Sequence, residues 1–185
     1  MYIHCAPRDN NIDLIQVCKS LGLQNKTDIV FPGNFNLADG GFPVEALNNF
    51  YNAADCFLTT TLGEGFGITA VEAMATGIPV IAPNNTSTPE LLGKDGERGY
   101  VYECSDLCWI DNSGLRPVGS TKDIVKKMLE AYINRKSKKE KDMIDRATKF
   151  VNDHTWEKVC KPWIRIFDDV LTLDNKPVKV KLQEV

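Results

Sequence analysis

The chain has 185 residues, of which 43% are hydrophobic and 25% are charged, and its formal net charge is −3. A chain of this length can bury the core of one domain, and its small negative charge argues against nucleic acid as a partner. No apolar run reaches the roughly 18 to 20 residues that cross a bilayer, and the first residues lack the pattern of a secretory signal, so we expect a soluble, cytoplasmic protein.

The first hundred residues alternate between strand-like apolar stretches and stretches with helical spacing. We predict strands at 1–5, 27–31, 55–61, 78–83 and 99–103, and helices at 11–23, 43–54, 66–77 and 87–93. Asn10 or Asn11 is the expected cap of the first helix, Pro43 is expected to open the second, and Gly77 to close the third. This alternation predicts an α/β fold, a Rossmann-like parallel sheet with helices on both faces.

The remainder of the chain is predicted to form one loop and three helices. Residues 103–119 break the alternation and are predicted to be a long loop that carries Trp109. We expect a helix at 120–134 capped by Ser120 or Thr121, a solvated turn or helix start at 135–142, and helices at 141–153 and 155–172, with a kink or restart at Pro162. We assign residues 1–171 to one Rossmann-like domain and 172–185 to a charged tail.

The six cysteines are scattered along the chain, several of them in apolar stretches, and there are only two histidines. We interpret the cysteines as reduced, mostly buried thiols, and with so few histidines we expect no metal site. Cys104 and Cys108 are the close pair, so a disulfide between them stays open.

The turn after the third predicted strand carries Gly63, Gly65 and Gly67. In an open parallel sheet, ligands bind beyond the carboxyl ends of the strands, and glycine lets a ligand approach the backbone closely. The helix that begins near Phe66 points its free N–H groups and its positive end toward the same crevice. This arrangement predicts an anionic ligand, most commonly a phosphate.

Two acids flank that predicted phosphate site, Glu64 in the turn and Glu72 inside the helix. A helix rises about 1.5 Å per residue, so the two lie on the order of 10 Å apart. A glycosidase pair needs carboxyl groups roughly 5 to 9.5 Å apart at one glycosidic oxygen, which fits poorly. A nucleotide-sugar fits better, with its ribose at one acid and its sugar at the other. On the residues alone, a plain tight turn with two solvated acids remains the alternative.

The stretch GFPVEALNNFYNAADCFLTTTLGEGFGITAVEAMATGIPVIAP at 41–83, continuing through NNTSTPELLG and GYVYE, resembles a known enzyme family. It is similar to the C-terminal donor-binding domain of retaining GT-B fold glycosyltransferases of family four (glycosyl transferases group 1). The motifs are Tyr51 with AAD, then EGFG and EAMATGIPVIA, which place Glu64 and Glu72 in the family's two-glutamate motif. LGLQNKTDIVFPG and HTWEKV also fit, so the resemblance covers most of residues 1–171.

The resemblance implies a hexosyltransferase that moves a hexose from a GDP- or UDP-sugar to a glycan, lipid or other hydroxyl acceptor, with retention and without a metal or prosthetic group. Glu64 would be catalytic, contacting the sugar, and Glu72 would bind the ribose. Gly33 and Phe35 would lie near the base, and Thr86 on a neighbouring turn of the same edge. The phosphates and the sugar would meet the backbone N–H groups of Gly65, Phe66, Gly67, Ile68 and Thr69.

The sequence also departs from the family pattern. The first strand of the C-terminal domain, the basic loop that clamps the diphosphate and the N-terminal domain with the acceptor site have no counterpart here, and Arg8 does not map to that clamp. We expect a fragment or truncated relative that is inactive alone and exposes sheet edges, so that it either pairs with a partner chain, for example by self-association, or is unstable alone. The full-length enzyme would be cytoplasmic or peripheral at the cytosolic membrane face. Two alternatives stay open: a noncatalytic nucleotide-binding or interaction module, and a nucleotide-sugar epimerase of the same fold.

Overall fold

The computed structural model describes residues 1–9, 12–33, 41–110 and 114–172. The chain forms two compact units, Met1–Leu47 and Asn48–Val185. Residues 173–185, which make up nearly all of the predicted tail, lie outside the described residues, so the assignment of 1–171 to one domain stays a prediction.

The N-terminal unit is built from short elements. β1 (Arg8–Asp9) pairs antiparallel with β2 (Ile12–Asp13), and α1 (Leu14–Ser20) follows directly. The Asp13 carboxylate accepts hydrogen bonds from the N–H groups of Ile15 and Gln16 at 3.0 and 3.1 Å. The prediction of Asn10 or Asn11 as the cap is therefore wrong, because Asp13 satisfies the first turn of the helix.

The two strands predicted at 1–5 and 27–31 are much shorter in the structure. They are represented by a single parallel bridge between Tyr2 and Val30, which belongs to no named strand. Ile29, beside it, is buried. α2 (Val44–Asn52) follows, and the Pro43 carbonyl accepts hydrogen bonds from its first turn.

The second unit is organised around a three-stranded parallel sheet. Its strands are β3 (Phe57–Leu58), β4 (Val80–Pro83) and β5 (Tyr100–Tyr102), with β4 in the centre. The connections contain α3 (Ile68–Ala75) and α4 (Thr88–Leu92). All four residues of β4 are buried, as expected for a parallel strand covered on both faces.

Helices cover both faces of this sheet. Val80 and Ala82 of β4 pack in one apolar cluster with residues of α3 and α4. Ile81 points the other way and packs with Tyr100, Tyr102 and Ala131. The predicted α/β fold with a parallel sheet and helices on both faces is confirmed, although this sheet has three strands rather than five.

The predicted loop at 103–119 is wrong. It forms an antiparallel hairpin of β6 (Cys104–Ile110) and β7 (Gly114–Gly119), in which Trp109 pairs with Leu115 and Cys108 with Arg116. Many residues of the two strands are exposed, and Trp109 is 68% accessible. The strands therefore lack the alternation of apolar and polar residues by which a half-buried strand is recognised in a sequence.

Three helices complete the second unit: α5 (Thr121–Asn134), α6 (Lys138–Asp153) and α7 (Trp156–Thr172). Ser120 caps α5 as predicted, and Ser137 caps α6, so the basic run at 135–142 is a turn and helix start. α7 continues through Pro162, so the helix does not restart there.

All six cysteines are free. The expectation that most of them are buried is wrong, because only Cys18 is buried, while Cys108 lies on the exposed hairpin and Cys160 on the exposed α7. Within the described ranges, no helix is long and apolar enough to cross a bilayer, and no cluster of three histidine, cysteine or acidic side chains is arranged to hold a metal ion.

Candidate functional site

A cleft of about 580 Å³ opens where the loops after β3 and β4 meet the hairpin. It is lined by Thr61, Leu62, Gly63, Glu64, Gly65, Thr86, Ile110 and Arg116. A groove of about 610 Å³ along α5 and the start of α6 is formed by helix surfaces rather than strand ends. We place the site in the first cleft, because ligands of parallel sheets bind at the carboxyl ends of the strands.

Unpaired backbone amides are the main chemical feature beside this cleft. In the part of the chain that the structure describes, the N–H groups of five successive residues, Gly65 to Thr69, have no hydrogen-bond partner. The first N–H donors of α3 are those of Ala70 and Val71, which bond to the Gly67 carbonyl at 3.1 and 3.2 Å. No side chain of a described residue caps α3, so its positive end and these donors are available to an anion.

Gly67 sets the angle at which the chain enters α3. Its φ is +92°, in the left-handed region, and a Cβ there would lie 3.0 Å from Cδ1 of Leu91. A side chain at this position would be strained and would also press on α4. The glycine is therefore required by the backbone that presents the amides.

Tyr51 holds Glu72 in place. Its hydroxyl donates to Oε2 of Glu72 at 2.8 Å and lies 3.3 Å from the Thr69 carbonyl, so its single proton goes mainly to the carboxylate. Burial, and then the hydrogen bond to Glu72, raise the pKa of Tyr51, which keeps that proton on the phenol. The other oxygen of Glu72 has no partner among the described residues, so it can accept a hydrogen bond from a ligand.

Thr86 ties the loop after β4 to the loop after β3. Its Oγ1 accepts a 3.0 Å hydrogen bond from the Glu64 N–H and donates to Oδ1 of Asn85 at 3.2 Å. Thr86 has a φ of +43°, which is unusual for a β-branched residue. The connection fixes the backbone of Glu64 at the wall of the cleft.

The predicted site residues divide into several groups. Glu64, Gly65 and Thr86 line the cleft, whereas Phe66, Gly67, Ile68, Thr69 and Glu72 lie along the entry and first turns of α3. Gly33 is an exposed residue of the N-terminal unit, and Phe35 lies outside the described residues. Contact of Gly33 and Phe35 with a base stays a prediction.

Sequence reasoning missed two residues at this site. Tyr51 belonged to the fingerprint but had no assigned role, and Arg116 lay in the predicted loop. Arg116 carries its guanidinium to the cleft, and its Nη1 lies 4.0 Å from the position that a Cβ on Gly63 would occupy. The DNSG turn signal at 111–114 is the feature of the sequence that could have revealed the hairpin.

The comparison with protein families covers the loop after β3 and the whole of α3. Residues 38–107 match the family model described as glycosyl transferases group 1. Over this stretch the chain is similar to group 1 glycosyltransferases, and its fold is similar to that of a solved sucrose-phosphate synthase.

A curated relative is similar in sequence over part of the chain, and two solved structures are similar in fold. O-antigen chain mannosyltransferase B of Escherichia coli is 44% identical over 68 residues, which are 37% of this chain and 17% of that protein. Sucrose-phosphate synthase of Thermosynechococcus elongatus has a similar fold, with a TM-score of 0.68 at 16% identity over 92% of this chain and 38% of that one. Anabaena Alr3699/HepE, solved in complex with UDP and glucose, gives a TM-score of 0.59 at 20% identity over 86% of this chain and 36% of that one. The chain thus spans less than two fifths of each.

Proposed function

We propose that this chain is the donor-binding domain of a retaining glycosyltransferase that moves a hexose from a nucleotide-diphosphate sugar to a glycan, lipid or other hydroxyl acceptor. The observation that carries the proposal is the run of amides from Gly65 to Thr69, which have no hydrogen-bond partner among the described residues, with a glutamate on either side in the sequence. A diphosphate ester needs several hydrogen-bond donors at its anionic centre and acceptors for the hydroxyls of its two sugars.

The start of α3 would bind the diphosphate. Its amides and its positive end would stabilise the charge that builds up on the leaving nucleotide as the glycosidic bond breaks. No proton transfer to that leaving group is required, because a diphosphate leaves as an anion. Positioning and electrostatic stabilisation would therefore provide most of the catalysis.

The two acids would bind the two ends of the donor. Glu72, with one oxygen held by Tyr51, would accept hydrogen bonds from the ribose hydroxyls through its other oxygen. Glu64, in the wall of the cleft, would contact the hexose and stabilise the reacting carbon as the catalytic residue. Gly33 and Phe35 would lie near the base.

The donor is proposed to be a UDP- or GDP-sugar. Support for a nucleotide sugar comes from the solved complex of Anabaena HepE with UDP and glucose, a protein that shares this fold. The acceptor site would lie on an N-terminal GT-B domain, because the relatives are much longer than this chain. A cytoplasmic location, peripheral at the membrane for lipid acceptors, belongs to the same proposal.

Titration calorimetry with UDP-, GDP- and ADP-sugars tests the proposal. We expect a UDP- or GDP-sugar to bind, and Glu72→Ala to weaken that binding by about tenfold or more, since it removes hydrogen bonds to a charged acceptor. Glu157→Ala, which removes an acid from an exposed ion pair on α7, is the matched control and should bind as the parent does. Binding of no nucleotide, or equal binding by Glu72→Ala, would contradict the proposal. Turnover after addition of an acceptor domain would separate an enzyme from a noncatalytic module.

A further inference from the structure

The hairpin has two different faces. Side chains alternate along each strand, and the pairs Cys108 with Arg116 and Ile110 with Gly114 share one face. Ile110 and Arg116 from this face line the cleft. The pair Trp109 with Leu115 lies on the opposite face. The register of the two strands therefore places Arg116 on the face of the hairpin that lines the cleft.

Arg116 changes the charge of the cleft. Among the described residues that line it, Arg116 is the one cation and Glu64 the one acid. The guanidinium makes no ion pair or hydrogen bond with any described residue. An anion beside Glu64 would be repelled by that carboxylate, and a cation on the facing wall offsets the repulsion. A guanidinium also offers its donors in a fork that matches two phosphate oxygens at once.

The loop that leads into the unpaired amides comes close to Arg116 at Gly63. Gly63 has no side chain, and a Cβ there would lie 3.3 Å from Cγ2 of Thr86 and 4.0 Å from Nη1 of Arg116. The guanidinium therefore lies near the backbone of the loop that leads into the unpaired amides. A phosphate bound in the cleft at Gly65, the first of the unpaired amides, would have the guanidinium nearby.

We propose that Arg116 binds the diphosphate of the donor from the hairpin side of the cleft, facing the amides of residues 65–69. This inference rests on the proposed function and adds a residue to it. It gives the hairpin a role in donor binding, in which the guanidinium of Arg116 recognises oxygens of the diphosphate. Arg116 is a binding residue here, and its charge would also stabilise the departing diphosphate.

The test compares nucleoside monophosphates with diphosphates. Calorimetry of the full chain with UMP, UDP, GMP and GDP gives the gain in affinity that the second phosphate provides. We expect Arg116→Ala to lose about tenfold or more in affinity for the diphosphate and most of that gain. Arg116→Lys, which keeps the charge but not the fork, should fall between the parent and the alanine variant.

Arg165→Ala on α7 is the control for loss of one positive charge, and it should bind every nucleotide as the parent does. Circular dichroism of each variant checks that the fold is kept. If the parent binds a diphosphate and Arg116→Ala shows the same ratio of diphosphate to monophosphate affinity, the role of Arg116 is overturned while the donor site stands. If the parent binds none of the four nucleotides, the proposed function fails and this inference fails with it.

Discussion

The hydroxyl of Tyr51, on α2, donates a 2.8 Å hydrogen bond to Oε2 of Glu72, on α3. The ring of Tyr51 packs against Phe57 at the start of β3, with the ring centroids 5.9 Å apart. The acid proposed to bind ribose is therefore positioned by a tyrosine that is anchored in the core. The orientation of the Glu72 carboxylate is therefore set before any ligand binds.

Tyr51→Phe should weaken binding of the donor while the fold is kept. The variant keeps the ring packing and removes one hydrogen bond to a carboxylate, so the free energy of unfolding should fall by about 1 kcal/mol. Nucleotide affinity should fall about two- to tenfold, because Glu72 is then free to rotate. Calorimetry and chemical denaturation measure the two effects.

The matched control is Tyr100→Phe, which removes another tyrosine hydroxyl from a glutamate, Glu140, inside the core. This change should lower stability and leave nucleotide affinity unaltered. If both variants lost affinity equally, the effect would belong to general loosening of the fold and not to Glu72.

Thr86→Ala should loosen the wall of the cleft. The substitution removes the 3.0 Å hydrogen bond that Thr86 accepts from the Glu64 N–H. We expect the Glu64 amide to exchange its hydrogen faster, whereas Thr86→Ser, which keeps the hydroxyl, should retain the protection. Hydrogen exchange followed by NMR measures this directly. Equal protection in the alanine variant and the parent would show that the hydroxyl does not hold the loop.

Gly67→Ala should destabilise the protein, and Gly65→Ala should not. At Gly67 a side chain meets both an unfavourable φ of +92° and Leu91, so we expect a loss of about 1 to 2 kcal/mol or more. At Gly65 no atom of another described residue lies within 4 Å of an added Cβ, so Gly65→Ala serves as the matched control. Chemical denaturation measures the free energy of unfolding of both variants. Equal stability of Gly67→Ala and Gly65→Ala would mean that the turn does not require glycine at position 67.

Stability should fall steeply in alkaline solution because of buried tyrosines. Burial, as the largest cause, raises the pKa of Tyr102 from 10.0 to about 12 and that of Tyr100 to about 12. Between these values the unfolded chain has lost protons that the folded protein still holds, so stability is complete below pH 10 and declines as the pH rises toward about 12. Tyr102→Phe should flatten this decline in denaturation curves recorded at about pH 9 and about pH 11.5. An unchanged slope would show that Tyr102 does not cause it.

The sequence predicted the regular part of the fold because local signals and burial agree there. Ser120 caps its helix as expected, and Gly77 follows α3 with a φ of +75°. The β4 stretch is apolar throughout because it is buried on both faces. In these elements, propensity, capping and packing favour the same conformation.

The prediction of secondary structure and of site residues from the sequence was less accurate in exposed segments, where burial imposes no apolar pattern. The hairpin at 104–119 is largely exposed, so its residues lack the apolar pattern that identifies a core strand. Asp13 was overlooked as a cap because Asn10 and Asn11 also suit the role, and only the observed hydrogen bonds distinguish them. Arg116 could not be assigned to the cleft, since its position depends on strand pairing across a turn.

The most direct test of the central claim is a two-dimensional NMR titration that follows each backbone N–H as UDP or GDP is added to the ¹⁵N-labelled chain. We expect the largest shifts, at downfield positions typical of N–H groups that bond to phosphate, at Gly65, Phe66, Gly67, Ile68 and Thr69. Binding that leaves these five signals in place and moves those of another surface would contradict the account.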